Sequence, residues 1–150
     1  MTGDRLWLQP VVQQLALQTR AAMEQFELIV EDLTSLLKAD SRPLLYDGFV
    51  APEILAPLTP AKTNVFYFVA TELFQRTKYA ARDWVQEVLS KTSDPERAWA
   101  NWMARDVAGA RALERTLSEF HVPWVLVDGK RSVDESVNLI CNHFLGSVVA

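Results

Sequence analysis

The stretch that most constrains the fold of this chain is residues 123–135, PWVLVDGKRSVDE. An apolar run at 124–127 stops at the Asp-Gly pair 128–129, which is a strong turn signal. Ser132 is followed three residues later by Glu135, and this spacing lets each side chain bond the other residue's backbone amide at a helix N-terminus. The stretch therefore predicts a strand, a tight turn and a capped helix. In open α/β sheets, ligands bind at this kind of junction.

Two earlier apolar runs also have the composition of strands, one at 43–47 and one at 64–69. The second run is continuously apolar, which is typical of a strand buried on both faces of a parallel sheet. Strand and helix patterns alternate along the chain, so the sequence predicts an α/β fold with right-handed crossovers. We expect a three-layer partial parallel sheet, with strands near 43–47, 64–69 and 123–128, flanked by long helices.

Four helical regions accompany these strands. Apolar residues recur every three or four positions over 10–40, the pattern of a long amphipathic helix. A second helix is expected over 71–91, with a threonine as its cap, and a third over 94–120, with an Asp-Pro start. The last covers 132–144, and residues 1–9 are expected to be a short lead-in.

A single domain, 1–150, is expected. A chain of this length buries about 70% of its unfolded surface, which is enough for a proper core. The stretch 49–60 contains three prolines and is predicted to be a loop, but it is too short to divide the chain into domains.

Composition argues against several classes of protein. The net charge of −4 disfavours a general nucleic-acid binder. No apolar run approaches the roughly 20 residues of a membrane helix. Cys141 is the single cysteine, so an internal disulfide is excluded and a reducing cytoplasm is the expected location. No metal site is expected either, because the two histidines, His121 and His143, are far apart and no cysteine pair exists.

Several short motifs, in their order along the chain, resemble the C-terminal two-thirds of a P-loop NTPase of the nucleoside- and nucleotide-kinase-like group, often labelled AAA-family ATPases. These motifs are Asp-Gly-Phe at 47–49, Phe-Gln-Arg at 74–76, Asn-Trp-Met-Ala-Arg-Asp at 101–106 and Val-Asp-Gly at 127–129. The resemblance covers about residues 5 to 145 and depends on order and spacing. It implies ATP-dependent phosphoryl transfer to a small acceptor molecule, with ATP and Mg²⁺ as cofactors.

The resemblance also implies site residues. Asp47 resembles the carboxylate that helps to order magnesium through water, although Val50-Ala51 stands where adenylate-type kinases have Pro-Arg. Lid arginines neutralise charge on the transferring phosphoryl group. The residues that resemble them are Arg76, Arg82, Arg105 and Arg111. The residues that resemble the loop around the adenine base are Asp128, Gly129, Lys130 and Arg131.

The family's phosphate-binding loop, GxxxxGK followed by Ser or Thr, is absent. With its first strand and helix, that loop would precede Met1, so we expect either a fragment or a natural remnant of a kinase-like domain. The strands at 43–47 and 64–69 would then pair directly, or would leave edges open to another chain and favour a homo-oligomer. The alternative is a non-enzymatic α/β interaction module that dimerises through its sheet edge. A third hypothesis is an enzyme of another doubly wound type, with Asp47 or Asp128 as the base.

Structural roles compete with each of these assignments. Asp47 and Asp128 precede glycines and can serve as turn formers. The four arginines can be surface or ion-paired residues, and Asp106 can pair with an arginine one turn away. The Trp99–Trp102 pair has one-turn spacing and favours core packing.

Overall fold

The computed structural model describes residues 3–39, 42, 44–52 and 65–146. Its elements are α1 Gly3–Trp7, α2 Val11–Ala39, β1 Tyr67–Ala70, α3 Glu72–Ala80, α4 Asp83–Ser90, α5 Pro95–Glu119, β2 Trp124–Val127 and α6 Val133–Leu145. None of the helices in these ranges has the length and apolar character that crossing a membrane requires.

The predicted three-layer sheet is wrong. The described part of the chain is mostly helical, and its sheet has two parallel strands, β1 and β2, in a register that runs from Tyr67↔Trp124 to Ala70↔Val127. Residues 44–47 belong to no helix or strand, and Pro43 lies outside the described residues. The predicted direct pairing of 43–47 with 64–69 is therefore not seen in the described range.

The missing strand has a physical reason. Leu45 is 77% exposed, so the apolar run at 44–47 does not contribute a buried face. The residues just after this run are held by a side chain, because the Tyr67 hydroxyl donates to the Val50 carbonyl at 2.7 Å. A short apolar run becomes a strand only where another strand accepts its backbone hydrogen bonds.

Capping signals placed three helices correctly. The Thr71 side chain accepts from the Phe74 amide at the start of α3, and the Asp94 side chain accepts from the Arg97 amide at the start of α5. At α6 both halves of the Ser132 capping box are present, as predicted. The helix predicted over 71–91 is two helices, because Arg82 adopts an extended conformation between α3 and α4.

The predicted lead-in contains a docked helix, α1. The Trp7 ring stacks on Trp102 with centroids 4.2 Å apart. The Trp7 carbonyl accepts from the side-chain amides of Gln14 and Asn101, at 3.2 and 3.0 Å. The Asp4 carboxylate accepts from the Ser93 amide at 2.7 Å. Contacts from α2 and α5 therefore fix a segment that has no strong pattern of its own.

Two groups of buried residues organise the fold. The first, which we call the aromatic core, joins α1, α4 and α5, and its buried members are Val85, Leu89, Ala98, Trp102 and Met103. The second, the sheet core, joins the sheet to α5, and its buried members are Tyr67, Val69 and Leu117. The rings of Phe66 and His143, 5.1 Å apart, bring α6 against the chain just before β1.

Candidate functional site at the end of strand β2

The loop after β2 is held by its own side chains. The Asp128 carboxylate accepts from the Lys130 amide at 3.0 Å and pairs with the Lys130 ammonium at 3.0 Å. These bonds, led by the one from the backbone amide, lower the pKa of Asp128 below its ordinary value. Asp128 therefore acts as the turn former that the Asp-Gly pair predicted.

Gly129 is required at its position for two reasons. Its φ of +86° is a left-handed conformation that other residues adopt at a cost. A Cβ there would lie 3.0 Å from the Phe74 ring, so the loop approaches the start of α3 closely. Since parallel strands end at the same side of a sheet, this contact joins the ends of β1 and β2.

The start of α6 completes the loop. The Ser132 amide donates to the Glu135 carboxylate at 2.7 Å, and the Glu135 amide donates back to the Ser132 hydroxyl at 3.2 Å. The bond from the Ser132 amide is the main cause of a lowered pKa of Glu135, and the Arg131 charge adds to it. Glu135 is therefore a stable anion beside the loop.

An open depression of about 470 Å³ lies beside this loop and β2. Its lining residues are Val125, Leu126, Asp128, Lys130, Arg131 and Glu135. Val125 and Leu126 are successive strand residues, so their side chains project from opposite faces of the sheet. The depression therefore extends over the outer edge of β2.

The backbone of β2 has an inner and an outer side. The Tyr67 amide donates to Pro123 and the Thr71 amide donates to Val127, each over 3.0 Å. In a parallel ladder the residues that bond the neighbouring strand alternate with residues whose backbone faces away. The N–H and C=O groups of Trp124 and Leu126 therefore point outward, and we call them the β2 edge. Within the described ranges no strand pairs with it.

The structure separates the four predicted lid arginines into three places. Arg76 and Arg111 meet at Glu72, with nitrogen–oxygen distances of 2.9 and 3.4 Å. Arg82 lies over the Tyr79 ring, 4.9 Å from its centroid, in the α3–α4 corner. Arg105 is partly buried and lies over the Trp7 ring, also at 4.9 Å.

Asp106 pairs with Arg105 beside the Trp7 ring. The carboxylate pairs with the adjacent guanidinium at 2.5 Å, and the two side chains are only 9% and 12% exposed. It also accepts from the Trp102 indole at 3.0 Å and the Gln75 amide at 3.2 Å. The partner of Asp106 is thus the neighbouring residue, whereas the sequence suggested an arginine one turn away.

Asp47 is exposed in the segment 44–47, which belongs to no helix or strand. Sequence reasoning missed Glu72 and Phe74, which join α3 to the predicted residues. Glu72 is the acidic residue in the first turn after the Thr71 cap, and that position was a readable signal. Among the residues that the structure describes, no group of three or more His, Cys, Asp or Glu side chains is placed to hold a metal ion.

No family model matches this chain, and no curated protein or solved structure matches it either. Function is therefore inferred from the geometry of the β2 edge and the loop that follows it.

Proposed function

We propose that this chain is a non-enzymatic interaction module that dimerises through an edge of its sheet. The observation that carries this proposal is the β2 edge. Its outward backbone groups lie beside an open depression, and Leu126 is 43% exposed on the same strand. Unpaired backbone groups on an apolar edge strand form a template for another strand.

The composition of β2 favours pairing on that side. Pro123 lacks an N–H, but its carbonyl faces β1, so the missing donor is on the inner side. Trp124 and Leu126 are not prolines, and each offers one donor and one acceptor outward. A sheet of two strands is also marginal by itself, so an added strand stabilises it.

The placement of the arginines supports a binding role over phosphoryl transfer. That chemistry needs several positive charges converging on one phosphoryl group. Here Glu72 pairs with Arg76 and Arg111, whereas Arg105 pairs separately with Asp106 on α5. Each of these guanidinium groups has a carboxylate partner within the chain, and Arg111 joins α5 to α3.

Light scattering on a sizing column over a concentration series tests the proposal. The chain is expected to dimerise, and Leu126→Lys is expected to raise the dissociation constant roughly tenfold or more, because the new charge must lose water at the interface. Leu73→Lys is the matched control, since Leu73 is 77% exposed on α3 and is not among the residues that line the depression. A monomer at every concentration would contradict the proposal.

A second candidate is nucleotide binding by a kinase-like P-loop remnant, with ATP and Mg²⁺ as ligands and a small-molecule acceptor. One observation favours it: the depression is lined by Lys130 and Arg131, and its volume of about 470 Å³ falls within the range of small-ligand pockets, roughly 300–1,000 Å³. Addition of Mg-ATP should then raise the melting temperature, and Arg131→Ala should reduce the shift. The absence of any shift in the unmodified chain would remove this candidate.

We further infer a reducing compartment, the cytoplasm. Cys141 is exposed on α6 and forms no disulfide. An exposed thiol persists most readily where glutathione and thioredoxin keep cysteines reduced. Cell fractionation with a tagged chain tests this, and recovery from an oxidising compartment would contradict it.

A further inference from the structure

We infer that the partner at the β2 edge is a second copy of this chain, whose β2 pairs antiparallel with the first across a twofold axis at Val125. This inference rests on the proposed dimerising function and adds an orientation, a register and a charge contact.

Symmetry selects the antiparallel orientation. In a parallel ladder, a residue that turns its backbone groups toward the neighbouring strand lies opposite a residue that turns them away. The two strands are therefore not equivalent, whereas a twofold axis would require them to be. If the β2 edge paired with a different surface of the second copy, that copy's own β2 edge would stay free and an open chain of molecules would result. Antiparallel pairing uses the same groups on both copies and closes at two.

The backbone selects the register. Trp124 and Leu126 face outward, so placing Trp124 opposite the partner's Leu126 gives two residue pairs that each exchange two hydrogen bonds. A register shifted toward the N-terminus would need the backbone groups of Val122, but the Val122 amide already donates to the Leu117 carbonyl. A shift toward the C-terminus would use Asp128, where the strand has ended.

Side chains agree with this register. Residues directly opposite on an antiparallel pair lie on the same face of the sheet, so the exposed Leu126 comes against the partner's Trp124. Aromatic and aliphatic side chains paired in this way stabilise sheets. The two copies of Val125 face each other at the axis as a non-hydrogen-bonded pair, with Cα atoms about 4.5 Å apart.

The charges beyond the strand are complementary. Antiparallel pairing brings the C-terminal end of one β2 beside the N-terminal end of the partner's β2. In each copy β2 begins shortly after α5 ends. Lys130 and Arg131 then lie near the partner's Glu119 and near the C-terminal end of its α5, which carries the negative end of the helix dipole. Glu119 and Arg131 are exposed and each lies six positions from Val125 along the chain. Twofold symmetry repeats this contact.

Cysteine cross-linking tests the register. In a Cys141→Ser background, Trp124→Cys, Val125→Cys and Leu126→Cys are oxidised and resolved on a non-reducing gel. Val125→Cys should cross-link most completely, because its Cα separation lies within the range of about 4.4–6.8 Å that a disulfide spans. A dimer by light scattering with weak cross-linking at 125 would overturn this register and leave the proposed function standing. A monomer would overturn both.

A charge exchange tests the contact without depending on a core substitution. Arg131→Glu should raise the dimer dissociation constant roughly tenfold, since attraction becomes repulsion at two symmetric contacts. Adding Glu119→Arg should restore most of the affinity. Lys78→Glu on α3 is the control for net charge and should leave the constant unchanged. Failure of Glu119→Arg to rescue Arg131→Glu would overturn the assigned contact.

Discussion

The aromatic core and the β2 edge are built in opposite ways. In the aromatic core, Trp102 is 3% exposed and its indole N–H has a carboxylate partner. At the β2 edge, Leu126 is 43% exposed, and within the described ranges no strand meets its backbone. In the first region the Trp102 indole finds its partner inside the chain, whereas the second region offers its polar backbone groups outward. Under the proposed function, stability and recognition therefore belong to different parts of the molecule.

The largest expected effect is in the aromatic core. Trp102→Ala should lower the free energy of unfolding by about 3–5 kcal/mol, because it removes the ring against which Trp7, Tyr79, Trp84 and Trp99 pack. Urea denaturation followed by circular dichroism measures this. Trp84→Ala is the comparison, since Trp84 is half-exposed, and it should cost clearly less. Equal losses would remove the distinction between a closed core and an open surface.

The next effect concerns the buried ion pair in the same core. Asp106→Leu should lower the free energy of unfolding by about 3 kcal/mol, because it leaves the Arg105 charge buried without its partner. The double variant with Arg105→Leu should recover much of that loss, since no charge is then stranded. Urea denaturation of the two single variants and the double variant completes the cycle. Additive losses would show that the pair is not coupled.

A smaller effect is expected beside the β2 edge. Gly129→Ala should cost about 1–2 kcal/mol, because a side chain is strained at this φ and its Cβ meets the Phe74 ring. Gly146→Ala separates the two causes, since Gly146 also has a positive φ, +75°, but no atom of residues 3–39, 42, 44–52 or 65–146 lies within 4 Å of the added Cβ. The difference between their melting temperatures reports the contact of the loop with α3. Equal changes in melting temperature would mean that the Cβ added at position 129 does not press against the Phe74 ring.

The smallest effect is a dependence on pH at the start of α6. The bond from the Ser132 amide depresses the folded-state pKa of Glu135, so its stabilising contribution is present above the unfolded pKa of about 4.3 and is lost as pH falls through the folded value. Melting temperatures recorded from neutral to acidic pH should fall less steeply below about pH 4.3 for Glu135→Gln than for the unmodified chain. Identical slopes would contradict this linkage.

The sequence correctly predicted those features that neighbouring residues determine. The bounds of α2 and α5 and the capping box of α6 followed from apolar spacing and from side chains that bond nearby amides. The strand near 43–47 was wrong because a strand exists only with a neighbour, and no nearby residue reveals whether one is present. The break at Arg82 was missed for a similar reason, since neither glycine nor proline marks it and its guanidinium lies on the rings of Tyr79 and Trp84.

The loop at 128–131 was located from sequence, and its surroundings were not. Asp128 and Gly129 lie next to each other in the chain, and an Asp-Gly pair specifies its own turn. The positions of the four arginines depend on which helices meet, and Glu72 joins α3 to α5 across 39 residues of sequence through Arg111. Pairings of that range are decided by the whole fold.

The amides that hold α1 have a kinetic consequence. Asn101 bonds the Trp7 carbonyl across 94 residues of sequence, so this contact forms only after a very long chain loop has closed. Closing such a loop costs entropy that local helices do not face. The docking of α1 should therefore be one of the last folding events and one of the first contacts to open, and the amides of residues 4–9 should exchange hydrogen sooner than those of α5.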